Sequence, residues 1–222
     1  MSGGRAGRRG RRDNLKHLSF ILDALPSLAV LILSLSFHEA AHAWAANRLG
    51  DPTARQLGRL TMNPLVHIDW IGTVLFPLIA MSSGIPLIGW AKPVPVDMRN
   101  LRDPRRDFAL VALAGPVSNL ILAVLFGVAF EAYLGAVENP GLIAQTLLIA
   151  VVMNVMLAVF NMIPVPPLDG GNVLMGLVPH SVARSIDWLR PYGFFIIYGL
   201  MLTGVLSTIM RPVQRFLLSF LL

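Results

Sequence analysis

The stretch LPSLAVLILSLSFHEAAHAW, residues 25–44, decides how the chain is read. Its first half is an uninterrupted apolar run, and its second half carries His38, Glu39 and His42. Crossing the hydrocarbon core of a bilayer takes about 20 apolar residues. The run from Ala24 to Leu49 is that long, and Gly50-Asp51-Pro52 ends it. Ionisable groups inside such a run are costly and mark function. On a helix, His38 and His42 lie one turn apart and about 40° apart around the axis, so both imidazoles face one point. HExxH is the spacing for two zinc ligands, with Glu39 placed to take a proton from metal-bound water. Zinc brings the pKa of that water to about 7.

Composition supports a membrane setting for the whole chain. Of 222 residues, 55% are hydrophobic and only 14% charged; soluble domains carry about 25% charged residues. There is no cysteine, which excludes disulfides, thiolate ligands and cysteine nucleophiles. The net charge is +6, and basic residues crowd the start of the chain, from Arg5 to Lys16. No basic groove with interleaved aromatics follows, so an anionic lipid surface suits this charge and nucleic acid does not.

Further apolar runs give an all-α polytopic membrane protein with four to six transmembrane helices. Spans are expected at Ala24–Leu49, Phe108–Tyr133, Leu142–Ile163 and Tyr192–Ile209. Trp70–Ser83 is too short for a comfortable span and has basic flanks on both sides. It reads as re-entrant, with a small extended, β-like segment near 84–97 that contains GWAKPVPV (89–96). The domain reading is a basic, disordered tail over 1–17, one membrane domain over 18–210, and an amphipathic tail over 211–222.

A catalytic zinc usually takes three protein ligands and keeps one position open. His17 and His180 read as surface residues, and His67 as a loop or supporting residue. Asp169, an isolated carboxylate after the Pro-broken end of an apolar helix, is the better third candidate, although Asp-Gly is also ordinary turn chemistry. HEAAH (38–42), AGPVSN (114–119) and NMIPVPPLDGG (161–171) together resemble the site-2 protease family of intramembrane zinc metalloproteases, in its compact prokaryotic form without a PDZ or CBS module. The resemblance covers roughly residues 24–175. It implies one zinc per chain held by His38, His42 and Asp169, with Glu39 as general base and Asn161 and Asn119 at the substrate or oxyanion. It also implies a substrate protein with a transmembrane segment, cut within or next to that segment, in a prokaryotic cell membrane. The alternative is a non-proteolytic metal-binding membrane protein or transporter, against which Glu39 argues, since transport needs ligands but no base.

Counting residues adds a test of depth. His42 lies about 10 Å from the Leu49 end of its helix, and Asn119 about 16 Å from Phe108. With alternating spans, these residues and Asp169 fall near one face. The loops on that face carry most of the basic residues beyond the tail, which places the site nearer the cytosol.

Overall fold

The computed structural model describes residues 3–83 and 89–222, with side chains from Ala24 onward. The helices are α1 (Gly3–Leu49), α2 (Thr53–Gln56), α3 (Phe76–Ser83), α4 (Pro104–Ala136), α5 (Gly141–Asn161), α6 (Asp169–Leu177), α7 (His180–Asp187), α8 (Gly193–Leu202) and α9 (Val205–Leu218). No strand occurs among the described residues. The side chains of the basic segment 1–17 lie outside them.

Three helices are long and apolar enough to cross a membrane: the Ala24–Leu49 part of α1, α4 and α5. The pair His180–Leu202 and Val205–Leu218, bent by 79°, makes a fourth if it is one span. That is the lower end of the expected range. The expected straight span Tyr192–Ile209 is broken because Gly204 takes φ +76°, which ends α8 and redirects the chain into α9. Helix α4 begins four residues before the first apolar residue, Phe108. Asp103 caps it by accepting from the Arg106 N–H (3.2 Å), and Pro104 occupies its first turn.

The bundle is arranged for lipid outside and polarity inside. Ile121, Leu125 and Val128 of α4 and Leu142 of α5 are exposed, whereas Ser34, His38, Glu39, His42, Asn119 and Asn154 are buried. A polar side chain facing hydrocarbon would have no partner, so these residues face one another between helices. Ala45 and Ala46 pack on Val111, while Ser34 and His38 meet Asn119. Rising numbers on α1 thus match falling numbers on α4, and the two helices run antiparallel. Asn154 of α5 completes the contact through Asn119 and Ser34.

The re-entrant reading has a direct counterpart. A π-helical turn at Trp70–Leu75 is capped by Asp69, which accepts from the N–H groups of Ile71 (3.1 Å) and Gly72 (2.8 Å), and leads into α3. Residues 84–88 lie outside the described residues. At Trp90 the chain is back beside its starting level: Trp90 N–H donates to Gly72 O (3.2 Å), and Thr73 Oγ1 donates to Trp90 O (2.8 Å).

Residues 89–97 form neither helix nor strand, so the expected β-like segment pairs with no strand among the described residues. Their backbone is held by other groups. Lys92 N–H donates to His67 O (2.9 Å), and Asp97 N–H to Asp51 Oδ2 (2.8 Å). The buried Arg59 donates to Val66 O, Lys92 O (2.8 Å) and Pro93 O (3.0 Å). Asp51 also accepts from Thr53 and from Asn100 Nδ2 (2.9 Å), so it ties the end of α1 to the segment before α4. Burial alone would raise the Asp51 carboxyl pKa; the hydrogen bonds from Thr53, Asn100 and the Asp97 N–H hold it below the ordinary carboxylate value.

Candidate metal centre

Two elements far apart in sequence build this site. His38 and His42 project from α1 one turn apart, with ring centroids separated by 4.6 Å and planes at 88°. Helix α5 ends at Asn161 because Pro164, Pro166 and Pro167 cannot continue it. Tight turns, closed by Val165 N–H to Ile163 O (2.8 Å) and Leu168 N–H to Val165 O (3.0 Å), reverse the chain and start α6 at Asp169. This delivers Asp169 Oδ2 to 3.1 Å from His38 Nε2 and 3.4 Å from His42 Nε2. The two Nε2 atoms are 3.0 Å apart.

The hydrogen bonds behind the rings say which atoms carry protons. His42 Nδ1 faces Val111 O at 2.7 Å. A carbonyl oxygen only accepts, so Nδ1 donates and Nε2 keeps its lone pair. His38 Nδ1 faces Asn119 Oδ1 at 2.6 Å, and the same reasoning applies. Two bare nitrogens and a carboxylate oxygen therefore converge. Asp169 Oδ2 is buried and accepts no hydrogen bond. Three acceptors facing one point call for a cation. A tetrahedral metal with bonds of about 2.0–2.1 Å keeps its ligand atoms ~3.3 Å apart. The spacings of 3.0, 3.1 and 3.4 Å fit that requirement with zinc-type N and O donors. Among the described residues this is the cluster able to hold a metal ion.

Helix α4 forms the wall of the site at Gly115. A side-chain carbon there would lie 2.5 Å from His42 Cε1 and 2.6 Å from His38 Cε1, so the helix approaches this closely only with glycine. Glu39, beside His38 on α1, is buried, and its Oε2 accepts from the Val94 N–H at 2.9 Å. Pro93 and Pro95 have no N–H, which makes Val94 the one backbone donor over 93–95.

These features have matches among known proteins. Residues 127–200 match the family described as Peptidase family M50. YwhC of Bacillus subtilis, provisionally named a zinc metalloprotease, is 39% identical over 204 residues, covering 89% of this chain and 90% of that protein. The chain belongs to peptidase family M50. As an M50 member it is a zinc metalloprotease, and its apolar helices make it an integral membrane protein. Two mycobacterial proteins, both provisionally named zinc metalloprotease Rip2, are also similar. The one from Mycolicibacterium smegmatis is 28% identical over 88% of the chain and 73% of its own length. The one from Mycobacterium tuberculosis is 31% identical over 82% and 67%. No solved structure matches the chain.

The remaining candidates from the sequence fall outside the three-atom cluster. Asn161 sits at the C-terminal end of α5, half-buried, with Nδ2 donating to Leu157 O of its own helix (2.9 Å). Asn119 lies behind His38, fully buried. His67 is buried and its Nε2 faces Thr61 O (2.9 Å). His180 is exposed at the start of α7, and the side chain of His17 lies outside the described residues. Sequence reading missed Ser34, Asn154, Asp51 and Arg59, and took Gly115 only as part of AGPVSN. A signal existed for Asn154 and Ser34, since a polar residue inside an apolar span carries the same cost that drew attention to HExxH.

Proposed function

We propose that this M50 protease is an intramembrane endopeptidase that cuts a substrate protein within or next to a transmembrane segment. The observation that carries the reading is the convergence of Asp169 on His38 and His42, both buried on a membrane-spanning helix, with the Glu39 carboxylate on the same helical turn. His38, His42 and Asp169 would hold the metal. Bound zinc supplies Lewis-acid chemistry and brings the ionisation of water to about pH 7. Glu39 takes a proton as the water oxygen attacks the scissile carbonyl carbon. It then returns that proton to the amide nitrogen as the C–N bond breaks. The Val94 N–H holds the Glu39 carboxylate in place for both transfers.

Asn161 is the asparagine suited to the oxyanion. One N–H of its Nδ2 is engaged by Leu157 O, and the other remains to donate to developing charge. Residues 89–96, GWAKPVPV, suit a stretch of unwound substrate laid alongside them. The distribution of basic residues favours an active site nearer the cytosolic face of a cell membrane, with residues 18–210 as one protease domain between a basic N-terminal tail and an amphipathic C-terminal one.

The test is Glu39→Gln in purified protein, with cleavage of a single-span substrate and zinc content measured together. Loss of cleavage by about 10²–10⁴-fold with zinc retained is expected. Full cleavage by the zinc-loaded variant would overturn Glu39 as the base.

A further inference from the structure

A chain of four buried polar groups leads away from the metal centre into the bundle. Asn154 Nδ2 donates to Ala150 O of its own helix (2.9 Å) and to Ser34 Oγ on α1 (2.9 Å). Asn154 Oδ1 faces Asn119 Nδ2 on α4 at 2.9 Å. Asn119 Oδ1 faces His38 Nδ1 at 2.6 Å. Ser34, Asn119 and Asn154 are each no more than 1% exposed.

The polarity of this chain is set at one end by a group that cannot reverse. Ala150 O is a backbone carbonyl and only accepts, so the Asn154 atom facing it is the NH₂ group. Asn154 then presents its carbonyl oxygen to Asn119. That oxygen also only accepts, so Asn119 turns its NH₂ toward Asn154 and its oxygen toward His38. Nδ1 of His38 must therefore carry the proton, and Nε2 is left with the lone pair that faces His42 and Asp169. The contact of Asn119 Nδ2 with Ser34 O (3.4 Å) favours the same orientation. His42 needs no such chain, because Val111 O meets it directly.

We propose that Asn154 and Ser34, acting through Asn119, are positioning residues that lock the His38 tautomer and ring rotation for metal binding. The proposal rests on the ligand reading above. It explains why three membrane helices each bury an uncharged polar group at one level. A ligand imidazole is held by the partner of its other nitrogen, and changes to such outer partners typically cost about 10–100-fold in metal affinity.

The experiment is zinc affinity of the purified, detergent-solubilised full chain by chelator competition, together with ¹⁵N NMR of the zinc-free, histidine-labelled protein. Asn154→Leu and Ser34→Ala are compared with Asn119→Leu and with the Asn119→Leu/Asn154→Leu double variant. Asn119→Leu should weaken zinc by about 10–100-fold and Asn154→Leu by about 10-fold. The double variant should fall little below Asn119→Leu alone, because both act on one ring. The His38 signals should lose their Nδ1–H signature while those of His42 keep theirs, a change that general destabilisation would not confine to one histidine. Ser34→Ala removes a single hydroxyl and provides the test if Asn154→Leu does not fold; it should weaken zinc by less than Asn154→Leu and shift the His38 signals in the same direction.

Wild-type affinity and an unchanged His38 spectrum in the folded variants would overturn the relay. Additive losses in the double variant would also overturn it. If His42→Ala instead binds zinc as tightly as the wild type, the ligand assignment itself fails.

Discussion

Gly115→Ala is the sharpest perturbation of the metal centre, because it adds one carbon and no charge. That carbon would sit 2.5 Å from His42 Cε1 and 2.6 Å from His38 Cε1, where ordinary contact begins at 3.4 Å. Each imidazole would have to withdraw by ~1 Å, or α4 would have to move away from α1. Neither ring is free to do so, since His42 is tied to Val111 O and His38 to Asn119. A metal site tolerates displacements of only about 0.2 Å. Zinc affinity should therefore fall by ~100-fold or more, equivalent to about 2.7 kcal/mol. Overpacking should cost a further ~1–3 kcal/mol of stability. The assay is chelator competition with metal quantified, alongside thermal melts with and without zinc. Gly135→Ala on the same helix is the control, because nothing lies within 4 Å of its added carbon. The control should keep wild-type affinity and equal or exceed wild-type stability, by up to ~1 kcal/mol. A Gly115→Ala protein that holds zinc as tightly as the wild type would refute the close approach of α4 to the ligands.

Two further predictions concern the supports around the site. Asp51→Asn should destabilise the protein by ~1–3 kcal/mol at neutral pH, because an oxygen that accepts is replaced by a group that donates. The Asp51 carboxyl is depressed in the folded state, so its contribution is complete above the ordinary value of 3.8 and is lost as pH falls through the lower folded value. Melts across pH 2–7 should show the wild-type and variant curves converging at the acid end, and a constant gap would count against the assignment. Arg59→Lys should loosen residues 90–97, because a compact ammonium cannot span the carbonyls of Val66, Lys92 and Pro93 as the guanidinium does. Hydrogen exchange read by mass spectrometry should quicken across that segment, and unchanged exchange there would show that Arg59 is dispensable.

Much of the architecture was legible because a bilayer imposes a length and a polarity on whatever crosses it. The first apolar run ends at Leu49 in both the sequence and the structure, and α5 differs from its expected bounds by only one or two residues. Local chemistry was equally readable, since HExxH places two imidazoles on one helical face whatever surrounds it. The start of α4 was misjudged because its first turn, Pro104 to Asp107, is polar and extends the helix beyond the apolar run. The last span was read as straight because hydropathy says nothing about the sign of φ at Gly204.

The sequence by itself determined the membrane setting, the three long spans and the two-histidine half of the site. Periodicity and hydropathy are local properties, and each follows from residues close together in the chain. Only the tertiary structure decided that Asp169 meets those histidines and that the Val94 N–H donates to the Glu39 carboxylate. It alone turned Asn119 toward His38. These depend on which helix faces which, and at what height. That is settled by where buried polar groups find partners and where a glycine lets two helices close, not by any single segment.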